Sequence, residues 1–200
     1  MKKLLIATKN PGKFSEISEV LGGGDFELVF LGDLDVEDSD FAEDGETFAE
    51  NAEKKARYYA DKFGMLALGE DSGLMVDALE GELGVQTRRW GAGEEASDEE
   101  WLEYFMRRME EVPDENRGAK FVCFSCLLEP GKEARFFDAE TPGVITRELM
   151  ADLLPGLPLS SVFVPEGCDK AYAALEAQEK NKLSHRGKAL KKVREYLRDL

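Results

Sequence analysis

Three cysteines in 200 residues are too few for a disulfide framework. No apolar run approaches the roughly 18–20 residues that span a bilayer, which argues against a membrane partner. Positive charge is also scarce. Against 42 Asp and Glu stand 26 Lys and Arg, a net charge of −16. That field repels nucleic-acid backbones, and no basic stripe with interleaved aromatics offsets it, so a nucleic-acid partner is excluded as well. A small polyanion could bind only through local cations or a bridging metal. The N-terminus has a basic pair and a short apolar run, without the length or cleavage site of a signal peptide. It reads as a first β-strand of a cytoplasmic protein.

Cys123 and Cys126 have the spacing of a redox or zinc pair. They lie within 119–128, however, which reads as a strand. Residues three apart on a strand face opposite sides, so the thiols diverge and are structural. No internal repeat, low-complexity tract or long linker divides the chain. Residues 1–200 therefore read as one domain.

What is present is a mixed order of strands and helices, an α/β or α+β pattern. Residues 2–8 read as a buried strand. Asn10 stands at an N-cap position with Pro11 first in the helix, and Gly22-Gly23-Gly24 ends it. Phe14, Ile17 and Leu21 give that helix its apolar face. A strand near 26–31 and an acidic loop over 32–46 follow. The next helix, about 47–63, buries a face of Ala49, Ala52, Ala56, Tyr59, Ala60 and Phe63. Glu50 with Lys54, and Glu53 with Arg57, are favourable four-residue pairs. A strand over 65–70 delivers Glu70-Asp71-Ser72-Gly73 at its end. Ser97 and Glu100 form a capping box for a helix carrying Trp101, Leu102, Phe105 and Met109. Residues 119–128 and 133–139 read as a hairpin around Pro130-Gly131. A Pro/Gly/Leu loop over 155–167 precedes a last helix starting at Ser184, with Leu190, Val193 and Leu197 inward.

Two constellations carry chemistry. At the first strand–helix junction, Ala7-Thr8-Lys9-Asn10-Pro11-Gly12-Lys13, free helix N–H groups and a positive dipole end make a natural anion site. Thr8 and Asn10 add polar groups there, and Lys13 adds a charge. The second constellation is acidic: Glu43-Asp44-Gly45, and Glu70-Asp71 on the buried strand. Carboxylates beside a phosphate site suit Mg²⁺, which takes one or two of them plus phosphate oxygens. Ser184-His185-Arg186 opens the last helix with N–H groups and two cationic side chains able to face a ligand.

Four segments, in order and spread over nearly the whole chain, resemble the inosine/xanthosine triphosphate pyrophosphatase (Ham1-like) family. They are Ala-Thr-Lys-Asn-Pro-Gly-Lys (7–13), Glu-Asp-Gly-Glu-Thr-Phe-Ala-Glu-Asn-Ala-Glu-Lys-Lys-Ala (43–56), Glu-Asp-Ser-Gly-Leu (70–74) and Glu-Lys-Asn-Lys-Leu-Ser-His-Arg-Gly-Lys-Ala-Leu (179–190). The resemblance implies an elongated mixed β-sheet flanked by helices, two lobes with a central cleft, and a homodimer. It implies Mg²⁺-dependent hydrolysis of a nucleoside triphosphate to monophosphate and pyrophosphate, with Mn²⁺ as a possible substitute. By position it gives Thr8, Asn10, Lys13 and Lys55 to the triphosphate, and Ser72 to a substrate contact. Glu43 and Asp71 match its metal carboxylates, Asp71 being also the catalytic base. Lys180, His185 and Arg186 match residues around the purine.

The sequence also departs from the family. Glu70 stands where bacterial members usually have Asp. Residues 83–90 follow the pattern Pro-Gly-Val-Tyr-Ser-Ala-Arg-Tyr only loosely, and Ala171 and Ala174 replace a usual Thr and Glu. The base-binding pattern Gly-Phe-Gly-Tyr-Asp-Pro-x-Phe appears as Gly156-Leu157-Pro158-Leu159-Ser160-Ser161-Val162-Phe163. Its stacking ring, flexible glycine and carboxylate are absent, so base selection is expected to be weakened or redirected, with Trp90 a candidate substitute platform. Two other readings stay open at this point: a nucleotide sensor without turnover, and a hydrolase of another phosphorylated small molecule.

Overall fold

The computed structural model describes residues 2–36, 44–87, 90–93 and 95–200. Six strands form one sheet: β1 (Lys2–Ile6), β2 (Phe26–Phe30), β3 (Leu66–Val76), β4 (Gly118–Leu128), β5 (Arg135–Ile145) and β6 (Phe163–Pro165), in the order β2-β1-β3-β4-β5-β6. β1 runs parallel to both β2 and β3, and every later pair is antiparallel. Helices α1 (Pro11–Leu21), α2 (Phe48–Phe63), α3 (Asp98–Arg108), α4 (Ala177–Leu183) and α5 (His185–Arg198) surround it. The fold is the mixed α/β architecture expected.

Local signals set most element boundaries. Asn10 caps α1 by accepting from the Lys13 N–H, and Thr47 and Ser97 both close reciprocal capping boxes with the glutamate three residues on. Gly64 ends α2 in the left-handed region at φ 63°. Alternation along β1 sends Leu4 and Ile6 to one face, against Ile17 and Leu21 of α1 and Leu190 and Val193 of α5. Leu5 goes to the other, against Ala52, Ala56 and Ala60 of α2. A third apolar cluster lies toward the far ends of β3 and β4, where Leu74 and Val76 meet Trp101, Leu102, Phe105, Met109 and Phe163.

The structure corrects several sequence expectations. β3 does not stop at Glu70. It pairs with β4 without a break from Ala67↔Leu128 to Val76↔Ala119, so Glu70 and Asp71 stand mid-strand. What ends early is β1, whose pairing with β3 covers only Leu4↔Leu66 to Ile6↔Leu68. β5 likewise runs on to Ile145 because β4 offers partners that far. The 155–167 segment contains a 3-10 turn, Pro158–Ser161, and strand β6 rather than loop alone. Helix α4 precedes the last helix and was not expected. Glu50 spends its carboxylate on the Glu46 and Thr47 N–H groups, and Lys54 pairs with Asp44 instead. The Glu53–Arg57 pair forms, at 2.6 Å.

All three cysteines are free. Cys126 packs in the α2-side cluster while the Cys123 Sγ lies 3.6 Å from Glu70 Oε1 on the opposite face, as the strand period requires. Burial pushes the Cys126 thiol up to about 12. Burial, then the Glu70 charge, raises Cys123 well above the ordinary thiol range. Neither is a reactive thiolate.

Candidate active site

Where β1 ends, the chain turns away into α1, and residues 70–73 of β3 have no paired strand on that side among the described residues. A cleft of about 490 Å³ opens there. Its walls include Thr8, Asn10, Lys13, Lys55, Asp71, Ser72, Lys180, His185 and Arg186. These are nine of the residues that the resemblance assigns to the site, and the tenth, Glu43, lies outside the described residues. Leu157, Pro158, Leu159 and Ser160 wall the other side, with Trp101, Phe121 and Tyr172.

The phosphate-type junction is held by its own polar groups. The Asn10 N–H donates to Thr8 Oγ1 at 3.1 Å, and Asn10 Oδ1 takes the Lys13 N–H at 3.0 Å. Helix α2 reaches the cleft because Gly69 lets it lie flat on β3. A Cβ on Gly69 would stand 2.2 Å from the Ala52 carbonyl oxygen and 2.7 Å from the Ala56 nitrogen. That close approach puts Lys55 Nζ 3.2 Å from the Glu70 carbonyl oxygen. It also brings Asn51 Nδ2 to 3.0 Å from Asp71 Oδ2.

Because successive side chains alternate, Glu70 and Asp71 point to opposite faces. Glu70 faces α1 and α5. Lys13 Nζ lies 3.4 Å from its Oε2, and Arg186 Nη2 lies 3.3 Å from its Oε1. Burial opposes its ionisation, but Arg186 first and then Lys13, helped by Ser72, hold its carboxyl well below the usual carboxylate range. Arg186 continues to Ser72 Oγ at 3.0 Å and to Glu16, which also takes Lys180 Nζ at 2.5 Å. Burial raises the Glu16 pKa, and Arg186 and Lys180 more than reverse this, leaving it at about 2. Lys180 and Arg186 thus line the cleft already tied to carboxylates, and Ser72 faces Arg186.

Asp71 accepts from Asn51 Nδ2 on Oδ2 and from the Ser72 N–H on Oδ1, each at 3.0 Å. His185 stacks on Phe121 at 4.7 Å and 10°, with Tyr172 at 6.2 Å. Burial first, and then neighbouring Arg186, lower its pKa to about 3, so the ring is neutral. Its buried Nδ1 has no protein hydrogen-bond partner. Trp90 does not line the cleft. It packs edge-on against Tyr104 at 5.2 Å and Phe105 at 6.2 Å, beneath the Arg108 guanidinium. The tryptophan at the cleft is Trp101, whose buried indole N–H has no protein partner.

Sequence reasoning missed Glu16, Asn51, Trp101, Phe121 and Tyr172. For two of them a local signal exists. Glu16 follows Lys13 by three residues, and Asn51 precedes Lys55 by four, so each shares a helix face with a chosen residue. The aromatics carry no such signal, since Trp101 comes from α3, Phe121 from β4 and Tyr172 from a 3-10 turn before α4.

A family model described as the Ham1 family matches residues 4–196. The chain belongs to the Ham1 family. The dITP/XTP pyrophosphatase of Oceanobacillus iheyensis is 36% identical over 197 residues, 98% of each chain. That of Aquifex aeolicus is 40% identical over 200 residues, 96% of this chain and 94% of the relative. Among solved structures, a HAM1 protein from Coxiella burnetii superposes with a TM-score of 0.84 at 32% identity, covering 100% of both chains. This Ham1 chain therefore matches these relatives over nearly their full length and shares the fold of the solved structure. The loop over 156–163 is where it departs in residue type.

Proposed function

We propose that this protein hydrolyses nucleoside or deoxynucleoside triphosphates at the α-phosphorus, releasing the monophosphate and pyrophosphate. One observation carries the reading. The cleft combines a capped helix N-terminus and two lysines with a buried carboxylate, Asp71, that the Asn51 amide and the Ser72 N–H orient at its wall. A polyanion needs the first, and deprotonating a water needs the second. The printed names of the relatives, dITP/XTP pyrophosphatases, support the same assignment.

In this reading Thr8, Asn10 and Lys13 bind the triphosphate from α1, and Lys55 binds it from α2. Asp71 is the catalytic base, and the Asn51 amide and Ser72 N–H fix its orientation. Lys180, His185 and Arg186 face the base and sugar, and Ser72 contacts substrate beside Arg186. The donor chemistry fits a hard divalent cation, Mg²⁺ or Mn²⁺, because Asp71 presents carboxylate oxygens at a cleft built for phosphate. Asp71, with Glu43, would hold it. No group of three or more His, Cys, Asp or Glu able to hold a metal occurs among the described residues. When bound, such an ion offsets the charge that develops on the triphosphate.

We further infer one domain of two lobes, working in the cytoplasm as a homodimer. Free thiols and the resemblance to the family support this. No described helix is long and apolar enough to cross a membrane.

Base selection follows the altered wall. Leu157 and Leu159 replace a stacking ring, and Ser160 replaces a carboxylate with a neutral hydroxyl. Base–aromatic stacking is worth about 1–3 kcal/mol in other nucleic-acid sites, so discrimination for inosine and xanthosine triphosphates is weakened or redirected. The test is a panel of purine and pyrimidine triphosphates with Mg²⁺, following both products. Pyrophosphate is expected, with kcat/KM for inosine and xanthosine triphosphates less than about a hundredfold above the ordinary nucleotides. Orthophosphate and a nucleoside diphosphate as first products would refute the bond assignment.

A further inference from the structure

The segment that walls the base end of the cleft does not stand alone against the phosphate junction. One residue, Gly156, joins them. Its N–H donates to Asp98 Oδ2 at 2.6 Å, and its carbonyl accepts from Asn10 Nδ2 at 3.0 Å. Asn10 in turn holds the Lys13 N–H through Oδ1. An unbroken chain of hydrogen bonds therefore runs from the first residue of α3, through both main-chain groups of Gly156, to the N-terminus of α1.

The joint tolerates no side chain. Gly156 sits at φ +75°, and a Cβ there would lie 2.6 Å from Asn10 Oδ1 and 2.7 Å from Asn10 Nδ2. The next residues are fitted to the same junction. A Cβ on Gly12 would stand 2.7 Å from the Pro155 carbonyl oxygen and 3.2 Å from Leu157 Cδ1. The carboxylate of Asp98 makes the outer bond charge-assisted, the stronger kind. Asp98 does not itself line the cleft.

We propose that Asp98 is a positioning residue for base binding. Through Gly156 it sets the distance between the phosphate junction and the Leu157–Ser160 wall, so that a triphosphate seated on α1 presents its base to that wall in one register. The inference rests on the nucleotide reading above, and it makes a prediction that a general packing role does not. Losing the bond should weaken ligands that span both parts and spare a ligand that uses the phosphate junction alone.

The experiment measures Kd by calorimetry for Mg²⁺ complexes of α,β-methylene nucleoside triphosphates and for tripolyphosphate. Asp98→Ala is expected to weaken the nucleotide analogues about tenfold while tripolyphosphate stays within about twofold, as loss of one charge-assisted bond would give. Asp98→Asn keeps an acceptor oxygen in place and should restore most of the loss. If Asp98→Ala does not fold, Asp98→Ser keeps a polar residue at the helix start with a side chain too short to hold the Gly156 N–H, and it should give the same split. Equal weakening of both ligand classes, or no weakening of either in a folded variant, overturns the proposal. Wild-type protein that binds tripolyphosphate but no nucleotide refutes the nucleotide reading and this inference with it. Wild-type protein that binds nucleotides without turnover leaves the Kd comparison decisive for Asp98 and refutes only the hydrolytic reading.

Discussion

The two faces of β3 treat neighbouring carboxylates in opposite ways. On the α1/α5 face, Glu70 is buried among Lys13, Arg186 and Ser72, and its charge is matched inside the protein. On the α2 face, Asp71 accepts from an amide and a backbone N–H, which orient the carboxylate at the cleft. The difference follows from what each face packs against. Helices α1 and α5 bring cations, and α2 brings Asn51 one turn before Lys55. A carboxylate matched by buried cations builds structure, because removing it strands those cations in low dielectric. One oriented by an amide and a main-chain N–H at the wall of a cleft is placed to meet a water, a cation or a proton.

The sharpest way to break this comparison is Asp71→Asn, which keeps the shape and removes the charge. Loss of a general base alone costs about 10²–10⁴-fold in rate, so kcat should fall by at least that much while the melting temperature changes little. Near-normal kcat in the folded variant would move the base elsewhere. Glu70→Gln should do the reverse. Removing one partner of a buried ion pair typically costs about 3–5 kcal/mol, and denaturant unfolding should show a loss on that scale. An unchanged midpoint combined with a kcat as low as that of Asp71→Asn would show the two roles to be assigned to the wrong faces.

A smaller effect sharpens the same contrast through pH. Glu70 and Glu16 have pKa values depressed in the fold, Glu16 to about 2. Their stabilisation is present above the ordinary carboxylate value and is lost as pH falls below it. His185 is also depressed, to about 3. Below about pH 6.5 the unfolded chain binds that proton first, so stability falls with pH there too. Above pH 7 none of the three changes stability. Between about pH 6.5 and 4.5 the slope should be roughly 1.4 kcal/mol per pH unit from His185, and it should flatten in His185→Asn. Identical slopes in the two proteins would mean that the imidazole titrates normally in the fold.

Much of this site was legible before the fold was known, and for a local reason. The Asn10 cap, the capping boxes at Thr47 and Ser97 and the Ser184 cap of α5 are bonds between residues three apart. The residues chosen at those helix starts, with Asp71 and Ser72, meet in one cleft. What could not be read is set by partners far along the chain. The extent of β3 depends on β4, the existence of β6 depends on β5, and the internal pairing of Lys180 and Arg186 depends on Glu16, more than 160 residues earlier.

The sequence by itself determined the capped starts of α1, α2, α3 and α5, the alternation of faces along the strands and the divergence of Cys123 from Cys126. Each follows from contacts within a few residues or from the period of the backbone. Only the tertiary structure decided that Glu70 is matched by Lys13 and Arg186 while Asp71 meets the Asn51 amide. Alternation puts them on opposite faces, but the charge each face offers comes from α1, α2 and α5, which the sequence does not place. It also decided that Trp101 rather than Trp90 reaches the cleft, and that Gly156 bonds to Asp98 and Asn10 at once. Those are long-range contacts, fixed when the sheet closes its register and the helices settle on its two faces.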